Sequence, residues 1–398
     1  MTVKAAEKIG VNETLKFRTS SRLLVDPVIL LCALALLGLG LVMMTSASIS
    51  VADKNYGDPF YFFYRQLIFI GIGLMVGFAV WNMPLQVWDM LRPILLVAGL
   101  LLLIAVLIPG VGNNVNGATR WIRIASINFQ ISEVIKIFMV IFLAGYLTKH
   151  QDEIGKSIKP IFIPMVLLLI VSGLLLMEPD FGATVVIVAT VMGMLWLAGS
   201  RLKIFIGLAS VAVGLLALLA YSTPYRLERM TSFLDPWKDM FGSGFQLSQS
   251  LIAFGRGEWF GVGLGESVQK LFYLPEAHTD FVFAVIAEEL GFIGALIVIA
   301  LYTVIAWRAL SIGRKAQQCC QYFLSYIAYG IGCWLIFQAY VNIGVNMGVL
   351  PTKGLTLPLM SYGGSSMVMS CFAIALLLRA EYELRFDYKN NKQEREAT

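Results

Sequence analysis

Charge is scarce in this chain, and so are the residues that most often bind metals. Of 398 residues, 14% are Asp, Glu, Lys or Arg and only two are histidine. The five cysteines (Cys32, Cys319, Cys320, Cys333, Cys371) fall in apolar runs or one turn and never at Cys-x-x-Cys spacing. That argues against a zinc centre and against a disulfide framework. No basic patch interleaves with aromatics, so the net charge of +5 does not mark a nucleic-acid partner. Gly261-x-Gly263-x-Gly265 has no strand before it, which excludes a dinucleotide fingerprint. No long internal repeat is visible, which weakens a repeat-built transporter.

What is abundant is apolar sequence, 58% of the chain. A membrane-spanning helix needs about 20 such residues. Runs of that kind place ten spans near 28–48, 66–82, 92–109, 131–147, 161–177, 181–199, 204–222, 281–306, 321–345 and 366–380. They are too long and too uniformly apolar for barrel strands, and backbone in lipid must pair within its own segment. The fold class expected is therefore an all-α polytopic bundle with a long extracytoplasmic loop between the seventh and eighth spans. Residues 1–27 read as a cytoplasmic N-terminal tail, 28–380 as the transmembrane domain and 381–398 as a cytoplasmic C-terminal tail. The polar, mixed-charge start is unlike a signal peptide. Lys and Arg gather in the tails and in the even-numbered turns (Arg92, Lys149, Lys156, Lys159, Arg201, Lys203, Arg308, Arg314, Lys315), which puts both termini in the cytoplasm and 223–279 outside.

Three external segments hold the unusual residues: 110–130, 223–279 and 346–366. In the second, Phe233, Leu234, Trp237, Met240 and Phe241 share one helical face, predicting a short helix in the headgroup region or a loop packed on the bundle. The stretch Leu-Pro-Glu-Ala-His-Thr-Asp-Phe at 274–281 packs Glu276, His278 and Asp280 against the start of a span. Ionisable groups that close to hydrocarbon usually mark a pathway or a chemical site. Asp280, Ala284, Ala287 and Glu288 would share a helix face. The plain alternative is that Asp280 caps the helix, which leaves Glu276 and His278 unexplained.

Glu133 and Lys136, three apart at the outer end of the fourth span, can pair. Lys136 sits about 9 Å in from Gln130 and Glu288 about 12 Å in from Asp280, so Lys136 reaches Glu288 or Glu289 if the two spans are neighbours. Gly110, Gly112 and Gly117 precede Arg120 and Arg123, and Ser361, Gly363 and Gly364 open the last span. With Lys353 these glycine-rich turns could grip a pyrophosphate, or simply be tight helix-entry turns. Glu178-Pro179-Asp180 fills a short turn whose proline ends a helix, with too few ligands for a metal site.

Several blocks together resemble the SEDS family of polytopic cell-wall proteins (FtsW, RodA, SpoVE). They are NGATRWI with Gln130-x-Ser132-Glu133-x-x-Lys136, EPDFGAT (178–184), FQLSQSLIAFGRGEWFGVGLGESVQK (245–270), LPEAHTDFVFAVIAEELG (274–291) and PTKGLTLPLMSYGGSS (351–366). The 352–358 and 255–259 blocks and the extended N-terminal tail look more like the division members than the elongation members. Ile131 stands where the family often has proline, and Glu178 where it commonly has glutamine.

The resemblance implies a peptidoglycan glycosyltransferase that polymerises lipid II at the outer face of the cytoplasmic membrane during division. The family's essential aspartate falls on Asp280, and its acid and lysine of the fourth helix on Glu133 and Lys136. Asp280 would act as base directly or by holding a divalent cation, Mg or Mn; no organic cofactor is expected. Lys136, Glu133, Arg120, Arg123, Lys353, His278, Glu276, Ser361, Gly363 and Gly364 are the candidates for binding the substrate and its pyrophosphate. The implied partners are a class B penicillin-binding protein, the division transpeptidase, and other divisome membrane proteins. A lipid II flippase and a non-catalytic division scaffold are the competing readings. One-sided placement of the charged residues favours the enzyme, because a transporter site belongs near the midplane.

Overall fold

The computed structural model describes residues 25–115, 118–124, 127–221, 232–351 and 354–397. Its helices are α1 (Pro27–Tyr56), α2 (Tyr61–Asn82), α3 (Leu85–Leu107), α4 (Ile131–Lys149), α5 (Gln151–Ile154), α6 (Lys159–Met177), α7 (Phe181–Leu197), α8 (Leu202–Tyr221), α9 (Phe245–Gly257), α10 (Val282–Gln318), α11 (Tyr322–Asn346) and α12 (Gly364–Ala397). Each of the ten expected spans falls on one of these helices. Seven are long and apolar enough to cross a membrane; α7 and part of α8 are shorter apolar helices. This is a multi-pass membrane protein.

Asp26 starts the first span. Its side chain accepts from the N–H groups of Val28 and Ile29, and Pro27 supplies a φ already suited to a helix. Gly57, at φ 68°, ends it in the left-handed conformation that glycine adopts without penalty.

Lipid is as apolar as leucine, so hydrophobicity cannot decide which helices go to the centre; small and polar residues decide it. The apolar windows of α4 and α11 are 83% and 78% buried, against 28% and 22% for α2 and α3. Thus α4 and α11 are the axis of the bundle and α2 and α3 its lipid-facing rim. At Gly330 of α11 a Cβ would stand 2.5 Å from Val140 of α4, so the two axial helices meet too closely there for any larger residue.

Two of the segments expected to lie outside differ in structure from the sequence reading. The 110–130 segment is a three-stranded antiparallel sheet, β1 (Gly112–Val115), β2 (Ala118–Ile124) and β3 (Ile127–Gln130), in the order β1-β2-β3. The run Ala-Thr-Arg-Trp-Ile-Arg-Ile favours extended backbone through its β-branched and aromatic residues. Gly112 therefore opens a strand, while Gly110, at φ 92°, lies in the turn before it; Asn116 and Gly117 lie outside the described residues. The short helix expected over 232–245 is a series of turns. Asp239 explains why: its side chain takes the Ser243 N–H and hydroxyl, and its carbonyl takes the Gly242 and Gly244 N–H groups. These bonds close turns that compete with a helix. Leu234, Trp237 and Phe241 are still exposed, as a segment resting on the membrane requires.

The candidate active site at the outer mouth of the bundle

Asp280 lies in the turn that leads into α10, half-buried. It does not cap that helix: the N-cap position is Phe281, and no side chain of its own caps it. Capping is done in trans. Asn346, at the end of α11, accepts from the Ala284 N–H at 3.1 Å and donates to the Asp280 carbonyl at 3.0 Å. Asn342, one turn earlier, donates to the same carbonyl at 2.8 Å and to the Leu355 carbonyl at 2.5 Å. Residue 354 next to it is pressed against the acid: a Cβ at Gly354 would stand 3.0 Å from Asp280 Oδ2. A side chain there would make the carboxylate give way by a few tenths of an ångström.

The neighbours of Asp280 do not converge on it. Glu276 is exposed, and its carboxylate accepts from the Thr279 hydroxyl at 2.8 Å. His278 stacks against Phe62 of α2, ring centres 4.7 Å apart, with Tyr362 at 5.8 Å. Burial lowers its pKa, against the pull of the Glu276 charge, so its imidazole is neutral at pH 7. The Tyr362 N–H donates to the His278 carbonyl at 3.0 Å, tying the Asp280 turn to the head of α12.

Lys136 is 2% exposed. Its ammonium meets Glu133 at 2.8 Å, Gln338 of α11 at 2.5 Å and the Trp334 ring at 5.2 Å. The expected contact with Glu288 or Glu289 is not made. Instead α11 packs on both α4 and α10, and the two glutamates find cations in the 223–279 segment. Glu288 pairs with Arg256 at 2.8 Å and accepts from the Ser267 hydroxyl and the Val268 N–H. Glu289 pairs with Lys270 at 2.9 Å and accepts from Ser46 of α1 at 2.7 Å. Just beyond them α10 breaks at Gly291, φ 69°. The backbone groups freed there are taken up by the loop: Val262 and Gly263 donate to the carbonyls of Glu288 and Glu289, and Phe292 and Ile293 donate to those of Glu258 and Trp259. Irregular backbone at such depth is tolerated because protein satisfies it.

Arg120 has no partner in the β1 register, which passes from Thr119 to Trp121, and such a bulge re-aims its side chain. It donates to the carbonyls of Glu178 and Pro179, at 3.3 and 2.5 Å, and stands 3.9 Å from Asp180. Asp180 caps α7 through the Ala183 N–H and accepts from Gln130 at 3.2 Å. Glu178 is 0% exposed, and among the described residues neither carboxyl oxygen has a hydrogen-bond partner. Burial first, then the Asp180 charge, push its pKa up to about 8, with Arg120 opposing. Arg123 is exposed on the same strand. The Glu178-Pro179-Asp180 turn thus holds Arg120 and caps α7, beyond the helix break read in its proline.

The last group serves structure. The Ser361 hydroxyl accepts from the Leu357 N–H at 2.8 Å, closing a turn. At Gly364 a Cβ would meet the Phe69 ring at 2.5 Å, so its smallness admits α2 rather than a ligand. Gly363 lies beside Thr356, whose hydroxyl bonds Ser366 at 2.8 Å. Lys353 lies outside the described residues. Sequence reading missed Gln338, Asn342 and Asn346, although their four-residue spacing in an apolar span was visible. It also missed Arg256 and Lys270, hidden in a segment taken as external loop.

The molecule is a multi-pass helical bundle with a half-buried acid, Asp280, at one end, beside a broken helix and a docked loop. The family model FtsW/RodA/SpoVE, "Cell cycle protein", matches residues 27–386, and the chain belongs to this family. Within it, the chain is 54% identical over 361 residues to the probable peptidoglycan glycosyltransferase FtsW of Nitrosococcus halophilus, covering 91% of this chain and 93% of that one. It is 52% identical to the FtsW of Coxiella burnetii, covering 90% and 96%. Among solved structures it superposes, at TM-score 0.73 and 29% identity, on a chain from "Structural coordination of polymerization and crosslinking by a peptidoglycan synthase complex", covering 90% of this chain and 98% of that one. The rod shape determining protein RodA of Thermus thermophilus gives 0.65 and 29%, covering 90% and 96%.

Proposed function

We propose that this chain is a peptidoglycan glycosyltransferase of the division type, polymerising lipid II at the outer face of the bacterial inner membrane, at the septum, with both termini cytoplasmic. The observation that carries the reading is the setting of Asp280. Its backbone is held by two amides while its carboxylate stays half-exposed at the mouth of the bundle. The names of the relatives point the same way.

In the reaction Asp280 takes the proton from the acceptor sugar hydroxyl. The oxygen attacks the anomeric carbon of the donor, the bond from that carbon to the pyrophosphate oxygen breaks, and the lipid pyrophosphate departs with the electron pair. It leaves as a weak base and needs no general acid, unlike the leaving group in glycoside hydrolysis, which calls for two carboxylates. The Arg120 guanidinium, partly exposed at the wall, faces the same mouth as a countercharge for phosphate. Lys136, enclosed with Glu133, acts by holding Gln338 rather than by touching substrate.

Among the described residues no group of three or more His, Cys, Asp or Glu is placed to hold a metal ion. One carboxylate with substrate phosphates is an ordinary way to hold Mg²⁺, so Asp280 and the pyrophosphate would hold it here, and the ion would supply charge neutralisation to the leaving group. The partner is a class B penicillin-binding protein, supported by the likeness to a chain of a peptidoglycan synthase complex.

The test is polymerisation of labelled lipid II by the purified chain with its transpeptidase partner. Native protein makes polymer and Asp280→Ala makes none. Polymer from the alanine variant sinks the assignment of the base. Absence of polymer from both sends the question to liposome translocation, where movement of lipid II would favour a flippase.

A further inference from the structure

Gln338, Asn342 and Asn346 stand four residues apart on α11 and so form one stripe along a single face. Their exposures are 0%, 1% and 0%. A buried amide is costly unless its donors and acceptor are paired, and these are paired with three separate parts of the chain. Gln338 accepts from Lys136 at 2.5 Å and from the Trp334 indole at 2.8 Å, and donates to the Thr356 carbonyl at 3.1 Å. Asn342 joins the Leu355 and Asp280 carbonyls. Asn346 joins the Asp280 carbonyl to the Ala284 N–H, and its own carbonyl accepts from Ser250 of α9 at 2.7 Å. One stripe therefore reaches from the buried lysine to the carboxylate at the mouth, by way of the 354–356 segment.

The pairing at Asp280 goes beyond satisfaction. A single donor would satisfy its carbonyl; here two amides one turn apart fix that carbonyl's direction. Rotation of this peptide would swing the carboxylate that precedes it. Asn342 yokes the same carbonyl to residue 355, which is why the Gly354 backbone lies against the Asp280 carboxylate. Ordinary helix capping needs only the acceptor of Asn346; the convergent donors have no part in it.

We infer that the α11 amide stripe is a positioning device: Asn342 and Asn346 set the bearing of the Asp280 carboxylate, and Gln338 holds the 354–356 segment and Lys136 in register with it. The inference rests on Asp280 being the catalytic base.

Amide-to-acid substitutions test it, because they keep shape and acceptors and remove donors. Asn346→Asp still accepts from the Ala284 N–H but no longer donates to Asp280. With purified chain, its transpeptidase partner and labelled lipid II, kcat falls roughly 100-fold, the scale of a misplacement near 1 Å, while KM is unchanged. Its thermal midpoint in detergent falls, because the new carboxylate is buried against the Asp280 and Asn342 carbonyls, so kcat and KM are read well below that midpoint, where the variant is folded. Asn342→Asp loses both carbonyls and lowers kcat at least as far, with a lower midpoint. Gln338→Glu keeps Lys136 and loses only Thr356, giving a smaller fall in kcat; it is the deciding variant should Asn346→Asp not fold. A native kcat in either folded variant, or a raised KM at native kcat, overturns the inference. Asp280→Ala run alongside keeps the two readings apart. Polymer from that variant defeats the base itself, whereas no polymer from it beside a fully active Asn346→Asp defeats only the stripe.

Discussion

Lys136 and Glu178 are both buried ionisable groups near the outer end of the bundle, and the protein treats them in opposite ways. Lys136 is given a carboxylate, an amide and an aromatic face. Glu178 has no hydrogen bond to its carboxyl among the described residues, and the charges that act on it are Asp180 and Arg120. A charge with every donor used is part of the frame, and removing its partner is expensive. A carboxyl with none stays protonated, and its cost appears only when pH forces it to ionise.

Breaking the frame has the largest expected effect. Lys136→Met leaves Glu133 charged and enclosed, which costs about 3–5 kcal/mol. Pairing it with Glu133→Leu returns most of that stability, and thermal unfolding in detergent reads both. A double variant no more stable than the single one would show that the lysine does more than neutralise its neighbour. Lys270→Met is milder, about 1–3 kcal/mol, because Glu289 keeps the Ser46 hydroxyl on both its oxygens. Last is Glu178→Gln, whose effect vanishes at low pH and grows as pH rises. With a pKa about 8 in the folded protein and 4.5 ordinarily, Glu178 keeps a proton that the unfolded chain has lost between those values. The native protein therefore loses stability as pH climbs through that window, and the glutamine variant does not. The two midpoints coincide at low pH, and the variant's is higher at pH 8. Parallel curves across the window would place a partner on Glu178.

Much of the architecture was legible from hydropathy, since runs such as 161–177 have no stable home but a spanning helix. Asp280 was legible too, because an acid beside a span is conspicuous. The partners were not. Lys136 was expected to meet Glu288, a pairing set by depth alone, and depth does not say which helices are neighbours. α11 comes between and offers Gln338, while Arg256 and Lys270 reach the glutamates from a segment that reads as loop. The sheet at 112–130 was missed for the reverse reason: its alternation in Trp121, Ile122 and Ile124 is short and lies next to glycines that suggest turns.

The interruption at Gly291 divides the longest helix into two mechanical units. Main-chain bonds tie the near ends of both to 258–263: Glu288 and Glu289 accept from Val262 and Gly263, and Phe292 and Ile293 donate to Glu258 and Trp259, so the docked segment splints the break. A force borne by the exposed Trp259 and Phe260 would therefore be shared by both halves of the helix, and residues 282–290 would carry it toward Asp280.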